Sequence, residues 1–221
     1  MTDVRRQHDP GRLHVLTDVH IQERFGHVEL AERAAAGGAD VVQYRDKRPL
    51  TTRELLAMAT SIGKALGPTA CRLIVDDRAD VALAVAAAGV HLGRDDLPVA
   101  IARRLLGPDV IIGGTANSLD EARTVAATGV DYLGVGPIYG TRTKANPAPV
   151  MGLETLAAIV RAVDIPVIAI GSITVARIGE VMATGAYGVA VVSAVVQDAD
   201  PVAATARCRE AIDLALARRN P

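Results

Sequence analysis

The chain has 221 residues, half of them apolar, and its 24 Lys and Arg against 25 Asp and Glu leave a formal charge of −1. That length suits one α/β barrel better than two separate domains, and the apolar content excludes wholesale disorder. With one Phe, no Trp and no basic stripe, the composition argues against a nucleic-acid partner, an anionic membrane or an aromatic-anchored protein interface. Cys71 and Cys208 fit no CxxC spacing and read as reduced core residues. The polar start lacks the apolar core of a signal peptide, and no apolar run is long enough to span a membrane, so a cytoplasmic protein is expected.

Residues 1–11 read as a flexible N-terminal extension and 12–221 as one barrel domain. Short β-branched runs buried on both faces predict strands at Leu13–Leu16, Val41–Tyr44, Arg72–Val75, Gly89–Leu92, Val110–Gly113, Tyr132–Val135, Val167–Ile170 and Val189–Val192. Between them, Ala- and Leu-rich stretches with helical spacing predict helices over Val28–Ala36, Thr52–Leu66, Arg78–Ala88, Pro98–Leu106, Leu119–Thr128, Leu153–Val163, Val175–Thr184 and Pro201–Ala217. Thr52 and Ser118 are expected N-caps, with Glu121 completing a capping box. Gly37, Gly89, Gly129 and Gly185 stand where helices should stop. Eight strand–helix units predict a (β/α)₈ barrel, and no GxGxxG follows the first strand to favour an open dinucleotide-binding sheet.

In such a barrel the chemistry belongs at the C-terminal ends of the strands. Strand alternation sends Gln43 and Arg45 to the interior if Val42 and Tyr44 face the helices, and a rim Arg needs either a bound anion or a neighbouring Asp. Asp76-Asp77 and Asp95-Asp96 follow adjacent strands; they offer hard oxygens for Mg²⁺ beside a diphosphate, while one of the second pair is equally suited to capping the helix before Pro98. The Gly136–Gly152 segment carries hydroxyls and Lys144 for an anion, or is a solvated linker. Gly171-Ser172 and Val192-Ser193 allow close approach of a phosphate to helix-starting amides. His91, in an apolar strand, reads as a packed core histidine.

These segments together resemble the thiamine phosphate synthase (thiamine-phosphate pyrophosphorylase) family: QYRDK from Gln43, DDRAD from Asp76, GVHLG from Gly89, DLP from Asp96, GVGPIY from Gly134, TRTK from Thr141, VIAIG from Val167 and VSA from Val192. The resemblance runs from the first strand to the last helix. It implies that hydroxymethylpyrimidine diphosphate is joined to hydroxyethylthiazole phosphate with release of pyrophosphate. By the same resemblance, Gln43, Arg45, Lys47 and Lys144 would hold the pyrimidine diphosphate, with Asp76 and Thr115 beside it and Asp77 and Asp96 on Mg²⁺. Arg45, Lys47 and Lys144 would be the catalytic cations. Thr141, Thr143, Gly171, Ser172, Val192 and Ser193 would hold the thiazole phosphate. The chain departs from the family at Asp76 (usually Asn), Arg94 (Gln), Thr115 (Ser), Asn117 (His) and Ser172 (Gly). The expected partners are small phosphorylated substrates, with homo-oligomerisation open. A related thiazole tautomerase is the alternative; such proteins keep a His where Asn117 stands and have lost the diphosphate cations. Another phosphate-binding barrel enzyme would want a placed Glu base or a Schiff-base Lys.

Overall fold

The computed structural model describes residues 9–140 and 149–219. Eight strands close a parallel barrel in sequence order: β1 (Leu13–Thr17), β2 (Val41–Tyr44), β3 (Arg72–Asp76), β4 (Gly89–Leu92), β5 (Ile111–Ala116), β6 (Tyr132–Val135), β7 (Val167–Ile170) and β8 (Gly188–Val191). Closure is made by β8 on β1, with Leu13 opposite Val189. The alternating helices are α1 (His27–Ala36), α2 (Thr52–Leu66), α3 (Ala79–Ala84), α4 (Val99–Leu106), α5 (Leu119–Ala126), α6 (Gly152–Ala162), α7 (Val175–Ala183), the single turn α8 (Ser193–Val196) and α9 (Pro201–Arg219). The (β/α)₈ expectation therefore stands; α8 went unseen because four residues carry no periodicity.

Strand alternation divides the apolar residues between two cores. Leu13, Val15, Val42, Tyr44, Leu133, Val135 and Val189 point outward and meet the helices in an annular core. Leu16, Val41, Ile74, Ile111, Tyr132, Ile168 and Ala190 point inward and fill the barrel. Fully burying one such aliphatic side chain is worth about 1.5–3 kcal/mol, so the annulus carries most of the stability. Cys71 and Cys208 are free and buried in this annulus, and burial pushes their thiols up to about 12 and about 11. Both match the sequence reading.

Local chemistry corrects three expectations. The cap of α2 is Thr51, not Thr52: its hydroxyl accepts from the Glu54 amide, and the Glu54 carboxylate accepts from the Thr51 amide in a full capping box. Ser118 does cap α5, but Glu121 turns to the Asn117 amide instead of closing the box. Pro10 and Gly11, placed in the extension by sequence, are buried: the Pro10 carbonyl accepts from His14 and the Asp9 carboxylate from Gly11. The rest of that extension lies outside the described residues. Among the described residues, no helix is long and apolar enough to cross a membrane.

Candidate active site

A cleft of about 1440 Å³ opens at the C-terminal ends of the strands. Eleven of the residues singled out from sequence line it together: Gln43, Arg45, Lys47, Asp76, Asp77, Asp96, Thr115, Gly171, Ser172, Val192 and Ser193. Thr141, Thr143 and Lys144 lie outside the described residues.

On the cationic side, β2 delivers Gln43 and Arg45 inward, as alternation predicts. The Arg45 guanidinium donates to the Asp18 carboxylate at 2.7 Å, and both side chains are buried. A neighbouring aspartate was one of the two partners expected for Arg45, and the remaining N–H donors of its planar fork can still reach a ligand in the cleft. Asp46, between Arg45 and Lys47 in sequence, turns away. Its buried carboxylate takes Arg48 and His27, and despite its burial these partners hold it down to about 2. His27 also reaches the Thr17 hydroxyl at 2.8 Å, so Asp46 and His27 brace the β2 end against β1.

On the acidic side, Lys47 pairs with Asp77, the residue that ends β3's polar tip. Asp77 takes φ of +64°, a left-handed conformation that Asp tolerates better than most residues, with its amide donating to the His91 carbonyl at 2.8 Å. Asp96 accepts from the Gly93 amide at 2.6 Å. Neither Asp95 nor Asp96 caps α4, whose N-cap is Pro98 with no side-chain bond; the capping expectation fails because Asp96 folds back to Gly93 instead. Burial and the adjacent Asp77 carboxylate raise the Asp96 acid above its usual range. Two carboxylates forced together in this way, with Lys47 beside them, form a hard-oxygen pair that favours a divalent cation. Asp77 and Asp96 are the residues that could hold Mg²⁺ here.

Across the cleft, β7 is followed by Gly171 at φ +112° and Ser172 at φ +49°. A Cβ on Gly171 would overlap Pro137, which explains why glycine is required there. The following residues lead into α7, and Val192-Ser193 into α8, so two helix starts face one space. The start of the long segment after β6 is clamped to this wall: the Ile138 amide donates to the Ile170 carbonyl and the Tyr139 amide to the Gly171 carbonyl. Arg177, missed from sequence, lies over the Tyr139 ring at 4.2 Å from its centroid and donates to the Ser172 carbonyl at 2.9 Å.

The cleft floor was also missed. His91 was expected to be a packed core histidine; it instead lines the cleft, between the Tyr132 and Thr115 hydroxyls at 3.0 and 2.9 Å. Alternation hid this, because β4 and β6 are apolar on the annular side and polar on the inner one. A signal was present: Gly113 and Gly134 are inward glycines whose Cβ atoms would overlap the His91 and Tyr132 rings. Two departures have structural partners, Arg94 with Glu121 on α5, and Asn117 with the Gly136 carbonyl.

The fold and cleft define the class: a (β/α)₈ barrel that gathers cations, paired carboxylates and open helix starts at the C-terminal ends of its strands. The model of the family described as thiamine monophosphate synthase matches residues 13–195. A thiamine-phosphate synthase of Salinibacter ruber is 47% identical over 95% of this chain and 92% of its own length. One from Chloroflexus aurantiacus is 48% identical over 89% of each. Among solved structures, a thiamine phosphate pyrophosphorylase from Pyrococcus furiosus superposes with a TM-score of 0.85 at 38% identity, over 97% of this chain and 100% of that one. The chain belongs to the thiamine monophosphate synthase family.

Proposed function

We propose that the protein condenses hydroxymethylpyrimidine diphosphate with hydroxyethylthiazole phosphate to give thiamine phosphate and pyrophosphate. The observation that carries this reading is the Lys47–Asp77–Asp96 cluster beside Arg45, facing the Gly171-Ser172 wall across one cleft.

As the methylene C–O bond of the diphosphate breaks, negative charge collects on departing pyrophosphate and positive charge on the pyrimidine's methylene. Arg45 and Lys47, with Lys144 from the segment after β6, hold the diphosphate and bind the leaving anion more tightly than the intact ester, which lowers the barrier. Mg²⁺, held by Asp77 and Asp96, supplies further neutralisation of the phosphates when bound. Asp18 fixes the angle of Arg45. Gly171, Ser172, Val192 and Ser193, with Thr141 and Thr143, hold the thiazole phosphate so that its ring nitrogen, already a nucleophile, meets the methylene carbon. No strong base is needed for that attack. Asp76 lies beside the pyrimidine end and Thr115 on the cleft floor.

Asn117, bound to the Gly136 carbonyl, supplies no base for tautomerising a thiazole. Phosphorylated substrates and buried thiols suit a cytoplasmic enzyme. The test is chromatographic detection of thiamine phosphate after incubation with both substrates and Mg²⁺. Formation of the product supports the synthase; isomerisation of a thiazole phosphate without coupling would move the assignment to the tautomerase.

A further inference from the structure

The barrel interior holds a continuous polar chain that the proposed reaction does not by itself call for. From the bottom upward it runs from the Pro10 carbonyl to His14 Nε2 (2.8 Å) and from His14 Nδ1 to Gln43 Nε2 (2.8 Å). Gln43 Nε2 then meets the Tyr132 hydroxyl at 3.4 Å, which meets His91 Nδ1 at 3.0 Å, and His91 Nε2 meets the Thr115 hydroxyl at 2.9 Å. The direction of each bond follows from its neighbours. A carbonyl oxygen only accepts, so His14 donates to Pro10 from Nε2. His14 is fully buried, and desolvation lowers it to about 4, so it is neutral and its Nδ1 is a bare acceptor. Gln43 must therefore turn its amide nitrogen to His14, and that nitrogen's second hydrogen faces Tyr132. The Tyr132 proton then has His91 Nδ1 as its acceptor, and a proton on His91 Nε2 makes Thr115 an acceptor toward the interior.

We infer that His14, at the closed end of the barrel, is a positioning residue that fixes Gln43 with its carbonyl oxygen offered to the cleft and leaves the Thr115 O–H to donate there. With both amide hydrogens of Gln43 committed, the oxygen is the group that remains for a ligand. The acceptor-only oxygen of Gln43 selects a heterocycle with an exocyclic amine over its oxo analogue, whose carbonyl would face that oxygen, while Thr115 can donate to the unprotonated ring nitrogen. This selection rests on the proposed function, since the pyrimidine diphosphate is the ligand that carries such an amine. The tautomers do not rest on it.

The experiment has two arms. Nitrogen-15 spectra of the full-length, histidine-labelled protein read the tautomers directly, with His14→Phe and His91→Phe variants giving the assignments. Both residues are expected as Nε2–H, and Nδ1–H at either would overturn the chain. In kinetics, His14→Phe is expected to lower the preference in kcat/KM for the aminopyrimidine diphosphate over its oxo analogue by about tenfold, the scale of one misdirected hydrogen bond. The KM for the thiazole phosphate is expected to stay within about twofold. His14→Asn, which keeps an acceptor near the Nδ1 position, is expected to restore the preference and serves where His14→Phe does not fold. A loss that falls equally on both pyrimidines, or no rescue by Asn, would overturn the positioning role. Wild-type protein that turns over neither pyrimidine would remove the proposed reaction, and the tautomer spectra would still decide the chain.

Discussion

Lys47 and Asp77 sit on adjacent strand ends, and each neutralises the other while leaving Asp96 with a raised acid. This arrangement makes two side-chain predictions. Asp96→Asn removes one of the two hard-oxygen donors, so Mg²⁺ affinity measured by calorimetry on the folded variant is expected to fall at least about tenfold, the scale of losing one charged partner. Unchanged affinity would take Asp96 out of the metal site. Lys47→Ala is expected to cut kcat by about 100-fold, with an unaltered circular-dichroism spectrum, if its charge acts on the departing pyrophosphate as proposed. A near-normal rate would make the Lys47–Asp77 pair merely structural. The inward direction of Gln43 and Arg45 was legible from the two-residue period of β2 alone. The Asp18 partner of Arg45 was not, because 27 residues separate them and only the parallel pairing of β1 with β2 brings them together.

At the scale of elements, the helices are set by local chemistry that sequence reads to within a residue or two, except that α3 ends at Ala84, four residues before the expected Ala88. The capping box at Thr51 ties the first turn of α2, and Thr51→Ala is expected to cost about 1 kcal/mol, seen as a melting temperature lowered by about 2–4 °C. The same change at Thr52, the position that spacing alone suggested, is expected to move it by less. The strands were legible because parallel strands covered on both faces read as unbroken β-branched runs. What such runs conceal is which inner positions are polar. His14, His91 and Tyr132 lie in stretches that look uniformly apolar, and their pairing depends on glycines in other strands, Gly113 and Gly134, that clear space for the rings.

Across the whole molecule, closure of the barrel takes His14 entirely out of water, and this couples protonation to folding. Its folded-state value of about 4 lies below the ordinary 6.5, so the unfolded chain binds the proton more readily. The stability that the neutral form supports is fully present above pH 6.5 and is lost as pH falls from there toward 4. For His14 alone the loss is about 3 kcal/mol across that window, and burial lowers His27 in the same direction. Urea unfolding of wild type and His14→Asn between pH 7 and 4 checks this: the wild-type slope is expected to be the steeper, and equal slopes would contradict it.

The most direct measurement of the central claim, that the top of this barrel drives departure of pyrophosphate from a pyrimidine diphosphate, is pyrophosphate release by the purified protein. It is made with hydroxymethylpyrimidine diphosphate, hydroxyethylthiazole phosphate and Mg²⁺ together and with each left out in turn. Release that requires all three and is matched by thiamine phosphate is the predicted result. No release from folded protein that still binds a phosphorylated ligand would contradict it.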